Sequence, residues 1–200
     1  MYKIILASQS PRRKTLLERL NIPFEVIPSE EKEYLDLEHS PYEWVKTLSR
    51  RKAMAVAKDV TGPAIVIGAD TVVTYLGKIL NKPADVAEGE SMLRLLSGKQ
   101  HTVYTGMTLI FIEENGNTTS ESYVDATEVT FNPITTEEIE RYLATGEYFD
   151  KAGGYAIQGK AAIFIDRIKG SVETVIGLPT TILYKALKDH GIDITEYWNK

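Results

Sequence analysis

No cysteine occurs among the 200 residues, which excludes disulfides, thiolate nucleophiles and Cys-ligated zinc. Histidine is nearly as scarce. His39, His101 and His190 are too scattered to form a metal pattern of the H-E-x-x-H kind, and each reads as an ordinary surface or loop residue. No apolar run approaches the roughly 18 residues that span a bilayer. The run after Lys3 is too short for a signal peptide and is followed at once by Arg12, Arg13 and Lys14. Positive charge is in deficit, with 23 Lys+Arg against 28 Asp+Glu and a net charge of -5, which disfavours non-specific binding to nucleic acid or an anionic membrane. Internal repeats, long linkers and interleaved aromatic and basic surfaces are also missing. These absences point to a cytoplasmic protein whose important basic residues act locally.

What is present is a core. A hydrophobic content of 43% suffices for one compact unit, or two lobes sharing a sheet. Lys3 to Leu6 reads as a short buried strand, Ser10 as an N-cap, Pro11 as the first helical position, and Leu16, Leu17 and Leu20 as an apolar helix face. Phe24 to Ile27 alternates like a strand, and the charged loop from Ser29 to His39 is a candidate lid. Ser40-Pro41 opens a helix to about Lys58, and Ala64 to Tyr75 reads as a central strand with Asp70 inside it. A short strand at Lys78 to Leu80 follows, then a helix from the Asp85/Glu88 capping pair to Leu96. Val103 to Ile112, the turn Glu114 to Asn117 and Ser120 to Phe131 predict a hairpin. A helix starting at Thr135 or Thr136, a Gly-rich segment 152–160, a strand from Ala162 to Ile168 and a last helix from Thr180 to His190 complete the reading.

Three features carry chemistry. Arg12 and Arg13 fall where the first strand becomes a helix, so two planar guanidinium forks lie beside free helix amides, a corner suited to phosphate. Asp70 lies in an apolar run, where an ionised carboxylate needs a cation, hydrogen bonds or a metal. Lys82 falls in the turn Asn81-Lys82-Pro83, just after the short strand that should return beside Asp70, and Lys52 belongs to a basic triplet on the second helix that ordinarily forms a solvated face; their joint occurrence with Asp70 is what singles them out.

The strings A-S-x-S-P-R-R at the start, G-A-D-T-V-V at 68–73, Lys82-Pro83, T-G at 105–106, A-G-G-Y-A-I-Q-G-K-A at 152–161 and V-I-G-L-P at 175–179 occur in that order. Together they resemble the Maf family of nucleoside triphosphate pyrophosphatases over nearly the whole chain. The resemblance implies an α/β fold, with a long twisted mixed sheet flanked by helices, of the Maf/ITPase-like kind. It implies a single domain over 1–200 with two lobes and an active-site cleft. The implied reaction is hydrolysis between the α- and β-phosphates of a nucleoside triphosphate, aided by a divalent cation (Mg, Mn or Co). Ser8, Arg13, Lys52 and Lys82 match the phosphate-handling positions, and Glu33 and Asp70 match the acidic, metal-holding ones, with Asp70 orienting or deprotonating the attacking water. Lys32 stands where the family usually has an acid, so Glu30 or Glu31 remains an alternative to Glu33.

The family resembles two branches that differ at three places. Arg12, Thr71 and Gln158 stand where the 7-methyl-GTP branch carries tryptophan, glutamine and glutamate, and so point to the branch acting on dTTP and UTP. The Gln158 amide offers both a donor and an acceptor to the O4 and N3-H edge of uracil or thymine. Modified-nucleotide hydrolysis and regulation of septum formation stand as alternatives. The expected partner is a nucleoside triphosphate, with no nucleic acid and no membrane; a homodimer is left open.

Overall fold

The computed structural model describes residues 2–31 and 40–198. Among the described residues, seven strands form a mixed sheet flanked by helices. They are β1 (Lys3–Leu6), β2 (Phe24–Val26), β3 (Ala64–Tyr75), β4 (Lys78–Leu80), β5 (Gln100–Ile112), β6 (Thr118–Phe131) and β7 (Ile165–Lys169). Their order is β2-β1-β3-β5-β6-β7, with β4 paired to β3. β1 runs parallel to both β2 and β3, whereas β4 and β7 lie antiparallel to their neighbours. The helices are α1 (Pro11–Arg19), α2 (Pro41–Ala57), α3 (Val86–Leu96), α4 (Thr136–Leu143), α5 (Val172–Ile176) and α6 (Thr180–Asp189).

The chain divides into two compact units, Met1–Asp70 with Thr105–Asp125 and Gly177–Lys200, and Thr71–Tyr104 with Ala126–Ile176. In the first, α2 lies on the sheet with almost nothing between their backbones. A Cβ at Gly68 would stand 2.3 Å from the Ser49 carbonyl oxygen, and one at Gly106 would stand 2.2 Å from that of Val45. Any side chain at either place forces the helix off the strands. Around this seam Ile5, Ala7, Ala53, Val56, Val66 and Ile110 form an apolar cluster. The second unit has its own core, in which α3 and α4 contribute Leu93, Leu96, Ile139 and Leu143 beside Val129 and Phe131.

Local chemistry explains the helix starts. Ser10, Ser40, Asp85 and Thr135 each accept a hydrogen bond from the backbone N–H three residues on, and Thr135 and Glu138 complete a capping box. Glu88 instead accepts from the Ala84 amide at 2.7 Å.

Two expectations need correction. The strand expected from Ala162 begins only at Ile165, because Lys160–Phe164 is a 3-10 turn. His101 is no surface residue: it is 2% exposed in the second unit's core, with its Nε2 2.7 Å from the Tyr155 hydroxyl and its ring edge-on to Phe131. It sits on β5, where the strand's alternation turns it inward. His190 is partly exposed, stacked on Phe111 with ring centroids 3.8 Å apart and 2.9 Å from the Glu121 carboxylate. His39 lies outside the described residues.

Candidate active site

The strand order around β1 decides where a ligand goes. β1 leads through α1 to β2 on one side, while β3 lies on the other. In parallel α/β sheets, ligands bind beyond the carboxyl end of a strand where the connections diverge in this way. The register pairs Leu6 with Ile67, and the Ala7 amide donates to the Ile67 carbonyl at 2.8 Å. The chain segments just past this point are Ser8 to Arg13 after β1, and Gly68, Ala69 and Asp70 within β3.

On the first segment, the Ser8 side chain is buried, at 7% exposure. Its Oγ accepts from Arg13 Nη1 at 3.0 Å and from the Ser10 amide at 3.2 Å. Arg13 Nε donates to the Gly177 carbonyl at 2.8 Å. A guanidinium held at two of its nitrogens loses rotamer freedom before any ligand arrives, and its planar fork is thereby aimed. Ser10 caps the helix that carries it.

On β3, Asp70 is 4% exposed, and Lys52 Nζ of α2 donates to its Oδ1 at 2.6 Å. Both side chains are shielded from water, so each charge compensates the other where neither is well solvated. The contact at Gly68, two residues before Asp70, sets α2 at the height from which Lys52 reaches it. Ser8 with Arg13, and Lys52 with Asp70, are thus two preformed pairs in the first unit.

Arg12 is half-buried in the first turn of α1. Thr71 follows Asp70 on β3. Lys82 and Gln158 are exposed residues of the second unit, in the turn after β4 and in the segment after Gly153-Gly154. Those two glycines take φ of 69° and 72°, the left-handed region, and the Gly153 amide donates to the Asn81 carbonyl at 3.2 Å, next to Lys82. Glu33 lies outside the described residues; Glu30 is exposed and Glu31 half-buried. Among the described residues, no three His, Cys, Asp or Glu side chains gather into a metal site, and no helix is long and apolar enough to cross a membrane.

Sequence reasoning missed three sets of contacts in and around these segments. The Gly177 carbonyl that holds Arg13 was signalled only by the V-I-G-L-P string. A chain of hydroxyls, from buried Ser49 to buried Thr108 at 2.9 Å and on to half-buried Ser122 at 2.8 Å, ties α2 to the β5 and β6 strands and had no signal at all. Glu147, whose carboxylate accepts from the Lys160 amide at 3.0 Å, had no signal in the sequence.

The chain matches the model of the Maf-like protein family over residues 3–190, and it belongs to that family. Among curated relatives, the proteins called dTTP/UTP pyrophosphatase in Bacillus cereus (strain AH187) and Bacillus anthracis are each 48% identical over 98% of this chain and 99% of their own length. The Staphylococcus aureus Ham1 protein aligns with 94% of this chain and 99% of its own at 15% identity, with a TM-score of 0.44. A likeness at that level carries no functional weight.

Proposed function

We propose that this protein hydrolyses dTTP and UTP between the α- and β-phosphates, releasing the nucleoside monophosphate and pyrophosphate. The observation that supports this best is the buried Lys52–Asp70 pair on the same parallel strand ends as the Ser8–Arg13 pair. The 48%-identical dTTP/UTP pyrophosphatases add the bond and the base.

A triphosphate brings about four negative charges and leaves little covalent chemistry to the protein, so rate comes from placing cations and a nucleophile. Arg13, Lys52 and Lys82 are assigned to phosphate oxygens, and Ser8 aligns Arg13 while offering its own hydroxyl. Asp70 is the acceptor for the proton of the attacking water. Arg12, Thr71 and Gln158 are assigned to base recognition.

A divalent cation (Mg, Mn or Co) belongs to the same reading, with Asp70 and Glu33 to hold it. The donor chemistry fits: Asp70 is a carboxylate, an oxygen donor of the kind taken by a hard ion that keeps waters and accepts phosphate oxygens. When bound, such an ion spreads the charge that develops on the phosphates. The protein acts on free nucleotides in the cytoplasm, with any effect on septum formation secondary to that turnover.

The deciding experiment is a screen of nucleoside triphosphates with pyrophosphate and orthophosphate detected separately. The expected products are pyrophosphate with dTMP or UMP. Orthophosphate release, or equal turnover of purine nucleotides, overturns the proposal. In the same assay Arg13→Ala, Lys52→Ala and Lys82→Ala depress turnover on every substrate without changing the base preference.

A further inference from the structure

Gln158 sits in a segment pinned at both ends inside the second unit. On its N-terminal side, the Gly153 amide is bonded to Asn81, and Tyr155 is buried with its hydroxyl against His101. Next, the Gly159 amide donates to the Ala156 carbonyl at 3.2 Å, closing a tight turn with Gln158 on it. The chain then enters the 3-10 turn Lys160–Phe164, whose first amides lack a local cap because the residue before them is glycine.

That cap comes from elsewhere. The Glu147 carboxylate, on a side chain only 18% exposed, accepts from the Lys160 amide at 3.0 Å and from the Ala161 amide at 3.4 Å. It also lies against Gly159, where a Cβ would fall 2.2 Å from Glu147 Oε1. The Gly159 backbone is extended, at φ -125° and ψ -155°, so the glycine is required by the carboxylate beside it and not by its own conformation. The buried Tyr142 hydroxyl, whose pKa is raised first by burial and then by the Glu147 charge, keeps its proton next to the same group.

We infer that Glu147 is a positioning residue for base selection: its carboxylate clamps the backbone amides just after Gln158 and so holds the Gln158 amide at the place from which it meets the base. This rests on the assignment of Gln158 to base recognition. A carboxylate that accepts from two backbone amides fixes them more firmly than a neutral acceptor does, and a specificity group held loosely loses discrimination before it loses turnover.

The test uses the full-length protein and two readouts, hydrogen exchange at the Lys160 and Ala161 amides and the ratio of kcat/KM for UTP to that for CTP. Glu147→Ala is expected to speed exchange at both amides and to lower the ratio about 10-fold, mainly through a higher KM for UTP, the size of a specificity contact that is weakened but not removed. Glu147→Gln, which retains one acceptor oxygen, falls between it and the wild type. Gly159→Ala displaces the carboxylate without altering Glu147, so it reproduces the effect and guards against a Glu147→Ala protein that does not fold. The double variant adds nothing further. Unchanged exchange in Glu147→Ala overturns the clamp. Faster exchange with an intact ratio, where Gln158→Ala destroys that ratio, overturns the link to selection. A Gln158→Ala protein that keeps the wild-type ratio sinks the assignment of Gln158 itself, and with it the link to selection, while the exchange result still decides the clamp.

Discussion

Asp70 and Lys52 hold each other 2.6 Å apart with almost no solvent around either. Removing one partner of such a pair leaves a charge or a strong acceptor stranded, at a penalty of about 3–5 kcal/mol, whereas removing both is far milder. Asp70→Asn and Lys52→Met are therefore each expected to lower the denaturant midpoint, and the double variant to recover most of that loss. Activity behaves differently. Asp70→Asn lowers turnover by more than about 10²-fold, since an amide cannot take the proton from water, and the double variant stays inactive. Strictly additive unfolding energies, or activity restored in the double variant, refute the dual structural and chemical role. The importance of Asp70 was legible in the sequence because a carboxylate in an apolar strand demands an explanation. Its partner was less so, since Lys52 ends the basic run Arg50-Arg51-Lys52, which reads as a solvated face, although Lys52 lies four residues from both Leu48 and Val56 on the side that is buried.

At the scale of elements, the helices were readable wherever a side chain marks the start: Ser10, Ser40 and Asp85 cap where the sequence places them, and of the two threonines it left open, Thr135 is the cap. The reading failed where the signal is distant. Lys160–Phe164 looks like the start of a strand because Ala162, Ile163 and Phe164 are apolar, but Glu147, thirteen residues before Lys160, supports a 3-10 turn there instead. The α5 helix went unread because its five residues are too few for a periodic pattern. The seating of α2 is equally hidden, since it depends on the absence of two side chains. Gly68→Ala puts a methyl group into the Ser49 carbonyl, which is backbone and cannot rotate away. The expected result is a loss of at least about 1–3 kcal/mol in stability, the usual range for overpacking. A fall in turnover accompanies it, because Lys52 moves with the helix. Wild-type unfolding and kinetics in this variant contradict the close seating.

For the whole molecule, the buried His101 makes stability depend on pH. Burial pushes its imidazole down to about 4, against an ordinary value of 6.5, with the Lys99 backbone opposing. Between those values the unfolded chain takes up a proton that the native protein refuses, so stability is complete above about pH 6.5 and declines as the pH falls toward 4. The decline attributable to this one group is about 2 kcal/mol between pH 7 and 4.5. Urea unfolding at those two pH values measures it, and His101→Phe flattens the dependence. A variant with the same acid loss as the wild type places the effect on carboxylates instead. No reading of the sequence separated this histidine from the other two, because its burial follows from the position of β5 in the sheet and from Tyr155, far along the chain.

The bare contacts at Gly68 and Gly106 have a mechanical meaning. A helix separated from its sheet by side chains floats on a layer that repacks whenever one of them changes size. Here α2 rests on peptide groups at two points roughly one turn apart, Val45 on one and Ser49 on the other, and peptide groups have no rotamers. The helix is located as a shaft is located by two bearings, and the span from Lys52 to Asp70 is cut to length by covalent geometry. Conservative changes elsewhere in the apolar core should then alter how much heat the protein survives while leaving its working geometry in calibration, so stability can drift or be engineered there without retuning the chemistry.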